Sequence, residues 1–378
     1  MDNVTPSEVS AACASLREFG VDPATATRGD IRHACNVGDR RARTIREWIR
    51  RSGSVETKQQ EVGSGEWVVP VSNTKVLLRM IDSCKEVIKN EVDDLKREAM
   101  LEAREYTPVA KKPVTGNMLE ISIPDLHAGK LAWGKETLWG NYDLKIAEKV
   151  FEEALEALIA RTASYQFDEI LIVVGNDLIH SDSMSGTTTK GTPLDNDGRY
   201  QRTFKKVRLM VTRAIERLRL MAPVSVMLVP GNHDQLSVWH LGDSLECLFA
   251  KCDDVAVDNA PSLRKYYQWG NNMIMFTHGN KGSLTDYPLL MAVEQPKMFG
   301  ETIYREAHTG DKHQLKVHEL HGVRVRISPA LCPPDAWHSE NMFVGNPRSA
   351  EAFVWNKEEG LVGTAVYTVP NPKEANQG

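Results

Sequence analysis

The sequence predicts an α/β domain of residues 113–378 behind a small, mainly helical unit of residues 1–72 and a long connecting helix within residues 73–112. Three observations lead there. From Leu119 onward, short apolar runs rich in β-branched residues alternate with helix-length stretches, the pattern of an α/β layer fold. Before residue 72, apolar residues recur at helical spacing in three short segments. Between these regions, Leu77, Ile81, Cys84, Ile88, Val92, Leu95 and Ala99 follow one another in steps of four and three among many Lys and Glu.

In chain order, a first helix is expected over Ser7 to Phe19, with Ser7 as cap and Gly20 as stop. A second runs over Arg28 to Cys35, a tight Asn36-Val37-Gly38 turn follows, and a third covers Asp39 to Arg51. This is helix-turn-helix spacing. Ser54 to Lys58 and Glu66 to Val71 then flank the turn-prone Gly63-Ser64-Gly65, as the two strands of a hairpin would. The amphipathic stretch at 73–106 reads either as a coiled-coil seam for a homodimer or as a connector packed on the next domain. The prolines and glycine of 107–116 make that segment a linker. Strands are expected at Leu119 to Ile123, Ile170 to Val174, Val224 to Val229 and Met273 to Phe276, and helices at Leu144 to Ser164 and Tyr200 to Met221.

In the third helix Ala42, Ile45, Trp48 and Ile49 share one face, and Arg40, Arg43, Arg46, Arg50 and Arg51 take the other. Between Arg28 and Arg51, eight arginines stand against Asp30, Asp39 and Glu47. A cationic helix after a tight turn suits the major groove of DNA, because guanidinium reads guanine edges and neutralises phosphate. A solvated basic face or a protein-binding unit would use the same pattern.

The whole chain carries a net charge of −5, so any nucleic-acid affinity must come from this local patch. No run of 18 apolar residues is present, and the N-terminus lacks the basic and apolar regions of a secretory signal. A cytoplasmic protein, with no membrane partner, is the expectation. The six cysteines are scattered without a C-x-x-C pair, which suits small core residues with reduced thiols.

Four short strings follow the expected strands, and a fifth comes after them: Asp125-Leu126-His127, Gly175-Asn176-Asp177, Gly231-Asn232-His233-Asp234, Thr277-His278-Gly279 and Gly310-Asp311-Lys312-His313. Their Asp, Asn and His side chains are oxygen and nitrogen donors of the kind divalent cations take. Strand carboxyl ends are where α/β folds place their sites. Two cations roughly 3.5–4 Å apart can clamp the attacking and leaving oxygens of an in-line displacement at phosphorus.

The order of these strings is similar to that of the calcineurin-like metallophosphoesterases, and the resemblance spans Leu119 to the C-terminus. It implies a sandwich of two β-sheets flanked by helices. It also implies that Asp125, His127 and His313 bind a first metal, Asn232 and His278 a second, and that Asp177 bridges them. His233 would serve as general acid or charge stabiliser at the leaving group, and Asp234 would support the turn or orient His233. Residues 1–72 resemble a winged helix-turn-helix domain.

The chain departs from the family in the last string, where Asp311 stands in place of a histidine. Direct ligation by Asp311 would favour hard cations, Mn²⁺ first and Mg²⁺ also, with Fe and Zn as other possibilities. Substitution by His308, or a weak second site, are the other readings. Asn176 is a second departure, inserted before the bridging aspartate. His33, His240, His318 and His321 read as surface or core residues, and His338 as a residue at the edge of the cleft.

Asp177-Leu178-Ile179-His180 and the Asp234 of the third string look more like double-strand-break repair nucleases than like phosphoprotein phosphatases. On that likeness His180 would touch substrate phosphate, and the Gly-, Ser- and Thr-rich loop Ser181 to Asn196 would contact substrate. The arrangement also resembles phosphoesterases of tailed bacteriophages. The leading expectation is therefore a two-metal DNA endo- or exonuclease. A phosphatase or phosphodiesterase of nucleotides or other small phosphoesters, and a non-catalytic DNA-binding scaffold, are the alternatives.

Overall fold

The computed structural model describes residues 6–52 except 24 and 38, isolated helical residues between 81 and 93, and residues 114–370. The expected hairpin at 54–71, most of the 73–106 helix, Cys84 and the linker up to residue 113 lie outside them. The chain divides into two compact units, 1–90 and 91–378.

In the first unit, helices α1 (Pro6–Glu18), α2 (Arg28–Cys35) and α3 (Asp39–Ser52) form. Thr27 starts α2 with a reciprocal cap: its hydroxyl accepts the Asp30 amide, and the Asp30 carboxylate takes the Thr27 amide. Asn36 ends that helix in the left-handed conformation at φ 50°. Val9, Ala12 and Leu16 of α1 meet Ile31 and the Ala42, Ile45 and Ile49 face of α3 in one small core. Among the described residues of the following stretch, Ile81, Ile88 and Val92 are exposed.

The second unit is built from two sheets. In the first, strands β1 (Asn117–Ser122), β2 (Glu169–Gly175), β3 (Val224–Val229) and β4 (Val255–Asp258) run parallel, and antiparallel β10 (Ser349–Asn356) and β11 (Gly360–Thr368) extend it past β1. The second sheet has the order β5 (Arg264–Trp269), β6 (Asn272–Thr277), β7 (Tyr304–Thr309), β9 (Val323–Ile327), β8 (Lys316–Leu320), with β6, β7 and β9 parallel.

Strand alternation sorts the layers. After the short α4 (Gly134–Thr137) come α5 (Leu144–Arg161), α6 (Tyr200–Arg219) and α7 (Gln235–Phe249), and Ile170, Ile172 and Val174 of β2 turn to a core shared with these three. Leu171 and Val173 turn the other way, against Ile274, Phe276, Phe353 and Trp355 between the sheets. Each large apolar side chain buried there contributes roughly 1.5–3 kcal/mol. The outer face of the second sheet is covered by α8 (Tyr287–Glu294), whose Tyr287 and Met291 pack on Met273 and Met275. The result is helix, sheet, sheet, helix, the layer order that the resemblance implied. Among the described residues, no helix is long and apolar enough to cross a membrane.

Candidate metal centre

The five strings begin at or just beyond the carboxyl ends of β1, β2, β3, β6 and β7, so the two sheets aim their loops at one place. Asp125, His127, Asn176, Asp177, Asp311 and His313 all adopt positive φ, between 49° and 67°. For non-glycine residues this conformation costs on the order of 1–3 kcal/mol each, and it persists where surroundings enforce it. Here the enforcement is hydrogen bonding between loops. The Asp125 and His127 amides donate to the carbonyls of Asn176 and Asp177 at 2.9 and 3.0 Å, and the Asp311 amide donates to Asp125 Oδ2 at 3.0 Å.

Two glycines make room for the carboxylates. A Cβ on Gly231 would stand 1.9 Å from Asp177 Oδ1, and one on Gly310 would stand 2.5 Å from Asp125 Oδ2. Both distances are impossible for a side chain, so the close approach of these loops requires glycine.

Two donor groups result. In the first, His127 Nε2 and His313 Nε2 are 3.3 Å apart, and Asp125 Oδ1 lies 3.8 and 3.4 Å from them. In the second, His278 Nε2 is 2.9 Å from Asn232 Oδ1, 3.1 Å from Asp177 Oδ2 and 3.6 Å from Asp311 Oδ1. Asp125, His127 and Asp177 also offer ligand atoms within 4.8 Å of one another. Asp177 thus adjoins both groups.

The donor sets fit divalent cations. Asp125 Oδ1 is fully buried and has no hydrogen-bond partner, which is costly for a carboxylate oxygen unless a cation satisfies it. The electrostatics agree. Burial disfavours charge on His278, but Asp177, Asp125 and Asp311 outweigh it and push the imidazole up to about 9. Burial likewise opposes charge on His313, and the field of Cys332 and Asp125 raises it to about 10. Burial, with His233 and His313 beside it, instead holds His127 well below the usual imidazole range, so its lone pair stays available, and cations compete with protons for all three rings.

Asp311, expected at the second metal, stands in that group. His308, one of the two other readings, does not: its Nδ1 is 2.7 Å from Glu120 and its Nε2 3.1 Å from Glu306, both between the sheets. Asn176 does more than lengthen the loop. Its Oδ1 accepts from His278 Nδ1 at 2.6 Å, which leaves Nε2 to face the other ligands.

His180 was expected to touch substrate phosphate, but only 3% of it is exposed. It backs His127, Nδ1 to Nδ1 at 3.3 Å, and its carbonyl accepts from His233 Nδ1 at 2.8 Å. It therefore positions two other histidines. Asp234 was expected to support the turn or orient His233, and it does the first. Its carboxylate takes the Gly231 amide at 2.9 Å and the Ile179 amide at 3.2 Å, and its burial beside Asp177 raises it well above the usual carboxylate range. The His233 amide donates to Asp177 Oδ1 at 2.8 Å, and its Nε2 makes no hydrogen bond among the described residues.

Other contributors carry no motif. Lys130 is fully buried, 3.0 Å from Asp335 and 3.7 Å from Cys332 Sγ. Cys332, expected as a plain core residue, lies 4.0 Å from His313 Nδ1, and with His127 and His313 it forms a further group of metal-ligand geometry. His338 stacks on His313 with centroids 5.2 Å apart and pairs with Asp335 at 2.6 Å. Asp182 opens the Ser181–Asn196 loop and fastens it to α7, accepting the Leu236 and Ser237 amides and the Thr189 hydroxyl. His33, His240, His318 and His321 are exposed.

In the other unit, Arg43 is exposed and paired with Glu47 at 3.4 Å. Arg46 is half-buried at the edge of the apolar face, and the side chains of Arg40, Trp48, Arg50 and Arg51 lie outside the described set.

No family model matches the chain, and no curated protein matches it. Among solved structures, the chain is similar to a novel archaeal phosphodiesterase at 10% identity and a TM-score of 0.30, over 67% of this chain and 99% of that one. A hypothetical protein from Pyrococcus horikoshii OT3 has 11% identity and a TM-score of 0.32 over 68% and 90%. Vacuolar protein sorting 29 from Cryptosporidium parvum has 16% and 0.29 over 67% and 97%.

Proposed function

We propose that this chain is a metal-dependent phosphoesterase that hydrolyses phosphodiester bonds, with DNA as its substrate. The observation that carries the reaction class is the convergence of Asp125, His127, Asp177, Asn232, His278, Asp311 and His313 from five strand ends, with Asp177 adjoining both donor groups. Asp125, His127 and His313 would hold one divalent cation, Asn232, His278 and Asp311 the other, and Asp177 both. Manganese is the expected ion. Bound cations would supply Lewis-acid polarisation of a phosphoryl oxygen and activation of water at neutral pH.

The protein's own residues set the geometry. The His180 carbonyl holds Nδ1–H of His233, so the free Nε2 can carry or deliver a proton at a leaving oxygen. Asn176 fixes the tautomer of His278, and His180 meets His127 from behind. Rigid aiming of this kind is what a near-attack arrangement needs. The substrate assignment rests on the arginines of α3, which would recruit duplex DNA.

A panel of plasmid DNA, linear DNA, RNA and small phosphoesters, screened across Mn²⁺, Mg²⁺ and Zn²⁺, tests both parts. Manganese-dependent DNA cleavage lost in Asp177→Ala and His127→Ala is the expected result. Turnover of small phosphoesters alone would overturn the DNA assignment, and no turnover of any substrate would overturn the enzyme.

A further inference from the structure

At the carboxyl edge of the first sheet, beside the candidate centre, lies a cavity of about 290 Å³. Leu228 and Pro230 at the end of β3, Val238 and Trp239 on α7, and Ala260 and Pro261 after β4 give it an apolar lining. Thr189, Gln235 and Asn259 add neutral polar groups, and no charged side chain lines it. The cavity and the centre share a wall. Pro230 directly precedes Gly231-Asn232, Gln235 directly follows Asp234, and the Thr189 amide donates to the Asn232 carbonyl at 3.2 Å.

That wall is braced. Asp182 ties Thr189 to the first turn of α7, and the Asn259 side chain donates to the Trp239 carbonyl at 3.1 Å. Trp239 nonetheless remains 42% exposed, a large indole surface left uncovered at the mouth of the cavity beside Leu236, itself 55% exposed.

We propose that this cavity binds a nucleobase of the substrate, from a nucleotide adjoining the phosphodiester in the centre; the identity of that ligand rests on the DNA reading above. A nucleobase is flat and uncharged, with a π face and an edge of mixed donors and acceptors. The indole of Trp239 offers a stacking surface, the amide of Gln235 offers a donor and an acceptor, and the Thr189 oxygen, whose proton goes to Asp182, offers a further acceptor. The volume is at the lower limit of small-molecule sites and suits one base. A second phosphate would meet no cation there, and a plain alkyl chain would cover the Gln235 amide without satisfying it.

Tryptophan fluorescence of the full chain, without added metal, tests the cavity directly. Thymidine and deoxyadenosine are expected to quench saturably, 2-deoxyribose not at all. The quench should disappear in Trp239→Leu and need about tenfold more nucleoside in Ala260→Phe, which fills the cavity. Gln235→Ala, at an exposed position, should alter the preference between the two nucleosides. No saturable quench, or one unchanged in Ala260→Phe, would overturn the proposal, and equal quenching by benzyl alcohol would replace a nucleobase site by a general apolar one. The companion assay is the ratio of kcat/KM for thymidine 5′-p-nitrophenyl phosphate over bis(p-nitrophenyl) phosphate, which should fall about tenfold in Trp239→Leu. Because the fluorescence needs no turnover, quenching without hydrolysis would keep the cavity and reject the phosphoesterase. Hydrolysis without quenching would do the reverse.

Discussion

His278 Nδ1 donates to Asn176 Oδ1 at 2.6 Å, so a residue that interrupts the expected glycine-aspartate string orients a candidate ligand from the opposite sheet. Partners of this kind fix the tautomer of a ligating imidazole, and their removal weakens metal binding by about 10–100-fold. Asn176→Ala is therefore expected to weaken the second of two manganese binding events by that factor in calorimetry, and the first much less. Equal weakening of both events would point to collapse of the loop, whose Asn176 carbonyl also accepts the Asp125 amide. Asn176→Asp, which keeps an acceptor in place, should recover most of the affinity.

Asp311 Oδ1 lies 3.6 Å from His278 Nε2, and its other oxygen is held by Lys312. As a ligand it contributes negative charge where a histidine would be neutral, so hard cations should be preferred. Asp311→Ala is expected to reduce the manganese stoichiometry from two to one. Asp311→His should shift preference toward zinc in competition titrations. Unchanged stoichiometry in the alanine variant would remove Asp311 from the ligand set.

The parts of this protein legible in its sequence are those decided by neighbours in the chain. Strand β3 runs from Val224 to Val229 as expected, because both of its faces are apolar, and α2 has the expected ends, because Thr27, Asp30 and Asn36 supply local caps. Helix α7 gave no such signal. The residue at its start, Asp234, makes no cap with its side chain, and Asp182 from a distant loop takes the first amides instead. Strands β7 and β9 were missed because Arg305, Glu306, Arg324 and Arg326 break the apolar pattern. Two of these charges are buried, Glu306 beside His308 and Arg326 near Glu351. At the site, the ligand types stood in the strings. The left-handed conformations that aim them, and the roles of Lys130, Asp335 and Cys332 behind His313, arise only from tertiary contact.

Lys130 and Asp335 form a buried ion pair at 3.0 Å, with Lys130 fully inaccessible. Burial opposes charge on Asp335, but His338 and Lys130 hold it well below the usual carboxylate range. Removing one partner of such a pair typically costs about 3–5 kcal/mol, because the other stays buried and uncompensated. Lys130→Met should thus lower the urea midpoint substantially. The double variant Lys130→Met with Asp335→Asn should recover part of the loss, and a double variant no better than the single would show that the lysine acts through packing alone.

His308 makes stability depend on pH at the alkaline side. Burial opposes its charge, yet Glu120 and Glu306 outweigh that effect and raise it to about 9. Since the folded value exceeds the unfolded value near 6.5, the folded state holds the extra proton between these limits. The stabilisation is complete below about pH 6.5, falls as pH rises, and is gone above about 9. Its full size is about 3 kcal/mol. His278 and His313 are also raised, so the informative quantity is a difference between wild type and His308→Gln. Urea unfolding at pH 6 and pH 9 should show a smaller pH loss in the variant. Identical losses would mean that His308 is neutral in the folded protein.

The arginines of α3 differ in what they can offer DNA. Arg43 is exposed and paired with Glu47, whereas Arg46 is half-buried against the apolar face. Each phosphate contact contributes roughly 0.9 to the slope of log K against log salt for duplex DNA. If both arginines touch phosphate, Arg43→Ala with Arg46→Ala should lower the magnitude of that slope by about 2. Arg43→Ala alone should account for about half the change, and Glu47→Ala, which releases Arg43 from its ion pair, should strengthen binding at low salt. A slope unaltered by the double substitution would exclude this helix from duplex binding while leaving the metal centre untouched, because the two lie in separate units of the chain.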